Sequence, residues 1–336
     1  MDKINYIQIN TNDMFDNIKY LKEHYQFSYY IFDVSNNAFH HGMYLIKYFD
    51  QQIDYLYVHS LEDLLLIRKY NQNISVIYHG NINQDNIFDL IINNAIIVIS
   101  NIDTLKMIKE ANIKDTLNFL FLVDPTGFYG ISNKQDILDY LEWNDKYLHL
   151  VGVMANFEEK NYENFKYIIR PIQSSKLMIF NNEEKKEKIQ GANAIILDSS
   201  IYGINGTKKK LFQKSENTFK QIFCFYSKIT DLKEVIHNKK TSYIAIVPFG
   251  YHHGMNDRIK SVFIHNKLYS VLKIYNEFMY IEGDEFLKKD MKVEITSKQN
   301  PLENYFKDQT LTYFSFFNSN HPIVFDDYIL EKMLIY

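Results

Sequence analysis

Eight short apolar runs, separated by stretches that suit helices, constrain the fold of this chain more than any other feature. Each run is rich in Ile, Val, Leu, Phe and Tyr, which favour buried strands. Helix-compatible segments lie between most of them, for example Leu61–Tyr70, Asp103–Ala111 and Gln135–Trp143. Eight strands joined by crossovers predict an α/β fold of the (β/α)8 barrel type. The predicted strands are Ser28–Val34, Gln52–Val58, Ser75–His79, Ala95–Ser100, Leu117–Asp124, Leu148–Met154, Ser175–Phe180 and Ala194–Ser199.

The pattern changes after about residue 206, where strand-like runs follow one another without long helices. This change predicts a barrel domain over residues 1–208 and a C-terminal, mainly-β domain over residues 209–336. The predicted strands of the second domain are Phe219–Ser227, Ser242–Val247, Ser261–Ile264, Leu268–Tyr275, Phe278–Glu282 and Met291–Thr296.

Composition and charge narrow the class of protein. The chain has 41 acidic and 37 basic residues, so it lacks the basic surplus that is typical of nucleic-acid-binding proteins. Its one cysteine, Cys224, excludes an intrachain disulfide. The N-terminus has no apolar signal core, and no apolar run is long enough to span a bilayer. We therefore expect a cytoplasmic protein that binds neither nucleic acid nor membranes.

Polar residues stand where several predicted strands end. In (β/α)8 barrels the active site lies at the carboxyl ends of the strands. Ser35, Asp124, Asn156 and Asp198 fall at such ends and are therefore expected on the functional face.

Two motifs carry a resemblance to a known family. Val34–Gly42 reads VSNNAFHHG, and Val247–Gly254 reads VPFGYHHG. With these motifs the chain resembles the alanine racemases, pyridoxal-phosphate enzymes of fold type III in which a barrel precedes a β domain. Tyr251 matches a catalytic tyrosine base that, in the family, reaches the neighbouring subunit's active site. The resemblance thus implies a homodimer with active sites at the subunit interface.

The departures from the family pattern concentrate at positions that hold cofactor and substrate. Ser35 stands where the family has the lysine that forms the Schiff base, and a hydroxyl cannot form that bond. By resemblance, Phe39 replaces a tyrosine near the cofactor phosphate, and Asn156 replaces the histidine that supports the tyrosine base. Asp198 replaces a glycine near the phosphate, and Asn276-Glu277 replaces a substrate-binding pair. We therefore expect no covalent pyridoxal phosphate, whereas non-covalent binding of this cofactor stays open.

Both motifs end in His-His-Gly, which allows two interpretations. His40 and His41, together with His252 and His253, could form a metal site shared between subunits of a dimer. Alternatively, these histidines are structural residues on loops. Under the first interpretation the protein is an enzyme independent of pyridoxal phosphate, with Tyr251, His41 and His253 as acid–base groups.

The replaced positions favour a pseudoenzyme. We expect a non-catalytic protein that binds a small, amino-acid-like molecule or a partner, with a regulatory role in amino-acid or secondary-metabolite metabolism. A third alternative is an alanine-type racemase whose cofactor is held by a lysine that the motif does not reveal.

Overall fold

The structure is a computed structural model, and its chain divides into two compact units. The first comprises the described residues within 21–38 and 42–197, and the second those within 4–20 and from 199 onward, with Phe39 and His41. The sequence predicted a division after residue 208, which lies outside the described residues. The structure describes residues 4–39, 41–49, 53–111, 113–143, 145–156, 161–172, 176–181, 191–197, 199–203, 219–237, 240–302, 305 and 321–325.

Eight parallel strands close into a barrel in chain order, which confirms the predicted (β/α)8 fold. Closure comes from the pairing of β2 (Tyr29–Asp33) with β9 (Ala194–Leu197), where Ile31 lies opposite Ile196. The barrel strands are β2 (Tyr29–Asp33), β3 (Tyr55–Val58), β4 (Ser75–Tyr78), β5 (Ala95–Ile99), β6 (Leu117–Val123), β7 (Leu148–Asn156), β8 (Leu177–Asn181) and β9 (Ala194–Leu197).

Side-chain caps and apolar faces define the helices. Ser60 accepts a hydrogen bond from the N–H of Asp63, and Asn101 accepts one from Thr104, so each begins a helix. The helices predicted near residues 61, 103 and 135 are confirmed within one residue at each end. The helices are Thr11–Tyr25, Leu61–Tyr70, Ile87–Ile92, Ile102–Glu110, Lys134–Glu142 and Tyr162–Ile169.

Apolar side chains from alternate strand positions fill the barrel interior. Successive side chains of a strand point to opposite faces, so one set faces inward and the other packs outward. The interior is therefore a packed core and not a pore. Its buried members are Ile31, Tyr57, Ile77, Ile96, Val98, Leu120, Leu122, Met154, Leu177, Ile179 and Ala194.

The second unit contains a nine-stranded sheet, which confirms the predicted mainly-β domain. Its strands are β1 (Tyr6–Ile9), β10 (Phe223–Lys228), β11 (Asp231–His237), β12 (Lys240–Val247), β13 (Ser261–Ile264), β14 (Lys267–Ile274), β15 (Met279–Gly283), β16 (Lys292–Thr296) and β17 (Ile323–Phe325). The sheet order is β11-β12-β15-β14-β13-β16-β10-β1-β17. Strand β1 was not predicted; it pairs antiparallel with β10 and parallel with β17. Within the described ranges, no helix combines the length and apolar character needed to cross a membrane.

Gly152 provides a test of barrel packing. A Cβ at this position in β7 would lie 2.1 Å from the carbonyl oxygen of Leu177 in β8, so Gly152→Ala must push the two strands apart. We expect a loss of about 1–3 kcal/mol in the free energy of unfolding, measured by urea denaturation. Gly283→Ala is the matched control. Its Cβ would lie 3.2 Å from the nearest atom, the Cβ of Tyr243, so only a small shift is needed and the loss of stability should be smaller than in Gly152→Ala. Equal stability of Gly152→Ala and the wild type would contradict this packing.

Candidate functional site

Polar side chains replace the apolar core where the barrel strands end. The inward register of β2 runs from Ile31 to Asp33, and that of β4 runs from Ile77 to His79. The same alternation places Asp124 two residues beyond inward-facing Leu122 of β6. The carboxyl end of the barrel is therefore lined by polar groups, and we take it as the candidate site.

Four rings, which we call the mouth cluster, lie at this end: Tyr57, His59, His79 and Tyr129. The Tyr57 hydroxyl is hydrogen-bonded to Nδ1 of His79, and Nε2 of His79 lies 3.1 Å from the Tyr129 hydroxyl. Nδ1 of His59 donates to the carbonyl oxygen of His79 at 3.0 Å. The ring centroids of His59 and His79 are 5.6 Å apart, and those of His79 and Tyr129 are 5.8 Å apart. Hydrogen bonds thus connect a buried tyrosine to an exposed one through a histidine.

The central part of the mouth cluster is uncharged at neutral pH. Burial lowers the pKa of His79 to about 4, and the neighbouring His59 acts in the same direction. Burial also raises the pKa of Tyr57, to which the charge of Asp33 contributes. His79 is therefore a neutral imidazole, and Tyr57 keeps its proton. The pair offers hydrogen bonds and aromatic surface but no positive charge.

Ser35, which the resemblance aligned with the cofactor's lysine, closely follows β2 in the barrel unit. Its backbone N–H donates to Oδ1 of Asp33 at 2.9 Å. The side chain is buried, with 3% of the residue exposed, and its hydroxyl has no hydrogen-bond partner among the residues that the structure describes. An unpaired buried hydroxyl costs about 1–3 kcal/mol, so such a group is a candidate for contact with a ligand.

The four residues after Ser35 form a left-handed turn. Asn36, Asn37, Ala38 and Phe39 have φ angles of 55°, 55°, 54° and 51°. Asparagine tolerates this region, but for other residues it costs about 1–2 kcal/mol each. The turn must therefore be held in place by contacts outside it.

The carboxylate of Asp63 supplies these contacts. Its Oδ2 accepts the N–H of Asn36 at 2.9 Å, and its Oδ1 accepts the N–H of Asn37 at 2.7 Å. Oδ2 also accepts the Ser60 hydroxyl at 2.8 Å, and Asp63 is only 5% exposed. One carboxylate thus connects the start of a helix to the turn that follows Ser35.

Asp124 organises the loop that carries Tyr129. Its Oδ1 accepts both the N–H and the hydroxyl of Thr126, and its Oδ2 accepts the N–H of Tyr129 at 2.7 Å. Burial acts to raise the pKa of Asp124, but these hydrogen bonds outweigh it and hold the pKa below its ordinary value. The carboxylate at the predicted strand end therefore positions a loop.

The structure places His41 and Phe39 in an aromatic core of the second unit. His41 is fully buried; it stacks on Tyr202 at 4.6 Å between ring centroids and meets the edge of Phe223 at 5.7 Å. The Phe39 ring lies 5.1 Å from that of Tyr202. This packing favours the structural interpretation of His41.

The second motif forms a polar surface cluster in the same unit. Tyr251, which is 43% exposed, donates its hydroxyl proton to Asp257 at 2.5 Å, and this hydrogen bond raises the Tyr251 pKa. His252 lies 2.6 Å from the carboxylate of Glu277, and His253 lies 4.0 Å from it. Tyr251 is thus held in its protonated form, which weakens it as a base at neutral pH.

Fewer contacts are described for the remaining predicted site residues. Asn156 ends β7, and the carbonyl oxygen of Asn276 accepts the N–H of His252 at 2.8 Å. Asp198 and His40 lie outside the described residues. In the part of the chain that the structure describes, no group of three His, Cys, Asp or Glu residues is arranged to hold a metal ion. The metal site that includes His40 stays a prediction.

Sequence reasoning missed the mouth cluster. Its members come from β3, from the residues after β3 and β4, and from the loop that follows β6, so no local motif connects them. A signal was nevertheless available: His79 lies two residues beyond the inward-facing Ile77, at the end of a predicted strand.

Solved structures of alanine racemases are similar to this chain over nearly their whole length. The enzyme from Oenococcus oeni superposes with a TM-score of 0.83 at 16% identity, covering 96% of this chain and 99% of that one. The enzyme from Clostridium difficile 630 gives a TM-score of 0.81 at 17% identity, with 97% of each chain covered. That from Streptomyces lavendulae, a D-cycloserine producer, gives 0.81 at 13% identity, covering 97% of this chain and 98% of that one. At these identities the likeness establishes the fold, as the motifs predicted. No protein-family model and no curated protein matches the sequence.

Removal of the Asp63 carboxylate tests its role in the turn. Asp63→Ala leaves the N–H groups of Asn36 and Asn37 without their acceptor and removes a partner of Ser60. We expect the free energy of unfolding to fall by about 2–4 kcal/mol in urea denaturation. Glu62→Ala removes the same charge from an exposed neighbour on the same helix and should change stability by less than about 0.5 kcal/mol. Equal effects of the two substitutions would refute the role of Asp63.

The low pKa of His79 predicts how stability depends on pH. The unfolded chain binds a proton near the ordinary pKa of 6.5, whereas the folded chain binds it near 4. The free energy of unfolding should therefore be unaffected by this group above pH 6.5 and should fall as the pH falls from 6.5 towards 4. At pH 5 the loss that this group causes should be about 2 kcal/mol. His79→Gln should flatten the dependence of the urea midpoint on pH, and the control substitution His149→Gln at an exposed site should not. An unchanged dependence in His79→Gln would contradict the assignment.

Proposed function

We propose that this chain is a non-catalytic, small-molecule-binding protein built on the alanine racemase fold. In this proposal it neither forms a Schiff base with pyridoxal phosphate nor racemises amino acids. The observation that carries the proposal is Ser35, a buried serine directly after β2, where the resemblance calls for the cofactor's lysine. Schiff-base formation requires an amine, and a hydroxyl cannot replace it.

The other described lysines near this region do not supply the missing amine. Lys47 lies over the rings of Tyr44 and Tyr70, at 4.4 and 5.6 Å from their centroids. Lys176 donates to the carbonyl oxygen of Leu150 at the start of β8, which is the opposite end of the barrel from Ser35. Apart from Lys47, no lysine occurs among the described residues between the carboxyl end of a barrel strand and the next helix. None of these described lysines thus offers its amine at the position of Ser35, which supports the proposal.

The predicted acid–base groups give little support to the enzyme alternatives. Tyr251 is bound to Asp257 through a hydrogen bond that raises its pKa, so it is less able to remove a proton at neutral pH. His41 packs between aromatic rings, and His253 accepts the N–H of Gly250. These contacts favour inherited structural roles over surviving racemase or metal chemistry.

The ligand site of this proposal is the carboxyl end of the barrel. The polar register that contains Asp33 and His79, together with the unpaired hydroxyl of Ser35, provides the hydrogen-bonding groups for a small, amino-acid-like molecule. A regulatory or partner-binding role in the cytoplasm and a homodimer belong to the same proposal, by resemblance to the family.

Borohydride reduction tests this proposal. The purified protein is incubated with pyridoxal phosphate and reduced, and its intact mass and peptide map are compared with those of an alanine racemase treated in parallel. We expect no stoichiometric adduct on any lysine, whereas the racemase should carry one. The peptide map must include the lysines at 160, 185, 186 and 188, because they follow β7 and β8 in the chain and lie outside the described residues. One fully modified lysine in this chain would overturn the proposal.

A further inference from the structure

A cavity of about 320 Å³ opens at the amino end of the barrel, opposite the end that carries the candidate site. It lies between the last turn of the helix Ile102–Glu110, the residue after the helix Lys134–Glu142 and the first residues of β6 and β7. Ligand pockets in proteins range from about 300 to 1,000 Å³, so this volume suits a small molecule. All of its lining residues belong to the barrel unit, and none belongs to the candidate site.

Apolar side chains form part of the cavity lining. Ile108, Leu117 and Leu148 are at most 5% exposed, and Ile113 is half-buried. Trp143, the one tryptophan of the chain, is half-buried beside them. An apolar group that binds against these side chains is removed from water, which stabilises a complex.

Two lysines bring positive charge to the same cavity. The Lys109 ammonium group lies 4.4 Å from the centroid of the Trp143 ring, and the Lys146 ammonium group lies 4.7 Å from that of Tyr147. Neither lysine forms an ion pair within the described ranges. An ammonium group over a ring keeps N–H donors for a second partner, so the two lysines can bind a carboxylate.

Two aspartates bring the opposite charge. Oδ1 of Asp145 accepts the N–H groups of Tyr147 at 2.8 Å and of Leu148 at 3.3 Å, which fixes this carboxylate. Its Oδ2 accepts no hydrogen bond from the residues that the structure describes, and neither does the exposed carboxylate of Asp115. A fixed carboxylate with an oxygen to spare can accept an N–H of an ammonium group.

The sequence adds no further charge from the undescribed part of these loops. In the loops before β6, β7 and β8, the residues outside the described ranges are Asn112, Asn144 and residues 173–175, which read Gln-Ser-Ser. All of these side chains are uncharged. The cavity therefore combines cationic, anionic and apolar groups in one small volume.

We propose that this cavity binds a free amino acid with an apolar side chain as its zwitterion. Asp115 and Asp145 hold its ammonium group. Lys109 and Lys146 hold its carboxylate, and its side chain packs against Trp143 and the apolar lining. Single exposed ion pairs are weak, so the selectivity comes from the two charges and the apolar group together. The inference goes beyond the proposed function, because the cavity lies at the opposite end of the barrel from the proposed ligand site.

Trp143 fluorescence reports binding at this cavity directly, because the chain has no other tryptophan. The probes are L-leucine, 3-methylbutylamine, which lacks the carboxylate, and 4-methylpentanoate, which lacks the ammonium group. At neutral pH we expect L-leucine to change the Trp143 emission in a saturable manner. Isothermal titration should show that it binds at least about tenfold more tightly than either analogue. No saturable change with L-leucine, or equal affinity for the three probes, would overturn the proposal.

Two substitutions locate the site. Asp145→Asn should weaken L-leucine binding about tenfold, because it removes the charge of the fixed carboxylate but keeps its size. Asp115→Asn should weaken it about threefold, because this carboxylate is exposed. Glu110→Gln is the matched control and should bind L-leucine as the wild type does, because Glu110 is exposed next to Lys109 but does not line the cavity.

The Asp115 variant keeps the test decisive if Asp145→Asn does not fold, since Asp115 has no described partner to lose. Wild-type affinity in folded Asp115→Asn would overturn the proposed site. Heat of L-leucine binding without a change in Trp143 emission would place the amino acid elsewhere and would also overturn the inference. Neither result bears on the proposed function, which a stoichiometric lysine adduct after borohydride reduction would refute.

Discussion

The alternation of side chains along eight closed strands is the constraint on which the rest of the structure depends. One set of alternate residues must fill the barrel interior, and residues such as Ile31, Ile77 and Leu122 do so with apolar side chains. Continued beyond the core, the same register brings polar groups such as Asp33 and His79 to the carboxyl end. Packing and the position of the candidate site are thus set by one periodicity: where the apolar residues stop, the candidate site begins.

The turn after β2 holds Ser35 in a defined backbone setting. Asp63 holds the N–H groups of Asn36 and Asn37, and the left-handed turn these residues form fixes the residue before them. That residue is Ser35, whose buried hydroxyl has no described partner. Where the resemblance calls for a lysine amine, this chain has a short, neutral oxygen. In our proposal, such a site supports reversible binding and not covalent chemistry.

Much of the fold could be predicted from local pattern, because each barrel strand is a short apolar run and three of the helices lie within one residue of their predicted bounds. Strand β1 could not, since four residues carry little periodic signal and their partner β10 lies more than 200 positions further along the chain. Strand β11 was missed because it is an exposed edge strand with charged residues such as Lys233 and Glu234. The mouth cluster escaped for a related reason: a hydrogen bond such as that between His79 and Tyr129 joins residues 50 positions apart, which only the closed barrel brings together.

Exchange of the α-proton of L-alanine most directly tests the claim that racemase chemistry is absent. The protein is incubated in deuterated water with L-alanine and pyridoxal phosphate, and the α-proton signal is followed by NMR alongside a protein-free sample. Our account predicts equal rates of signal loss in the two samples, because Ser35 stands where the resemblance calls for the cofactor's amine and Tyr251 is kept protonated by Asp257. Signal loss that increases with protein concentration and disappears on substitution of Tyr251 would contradict it.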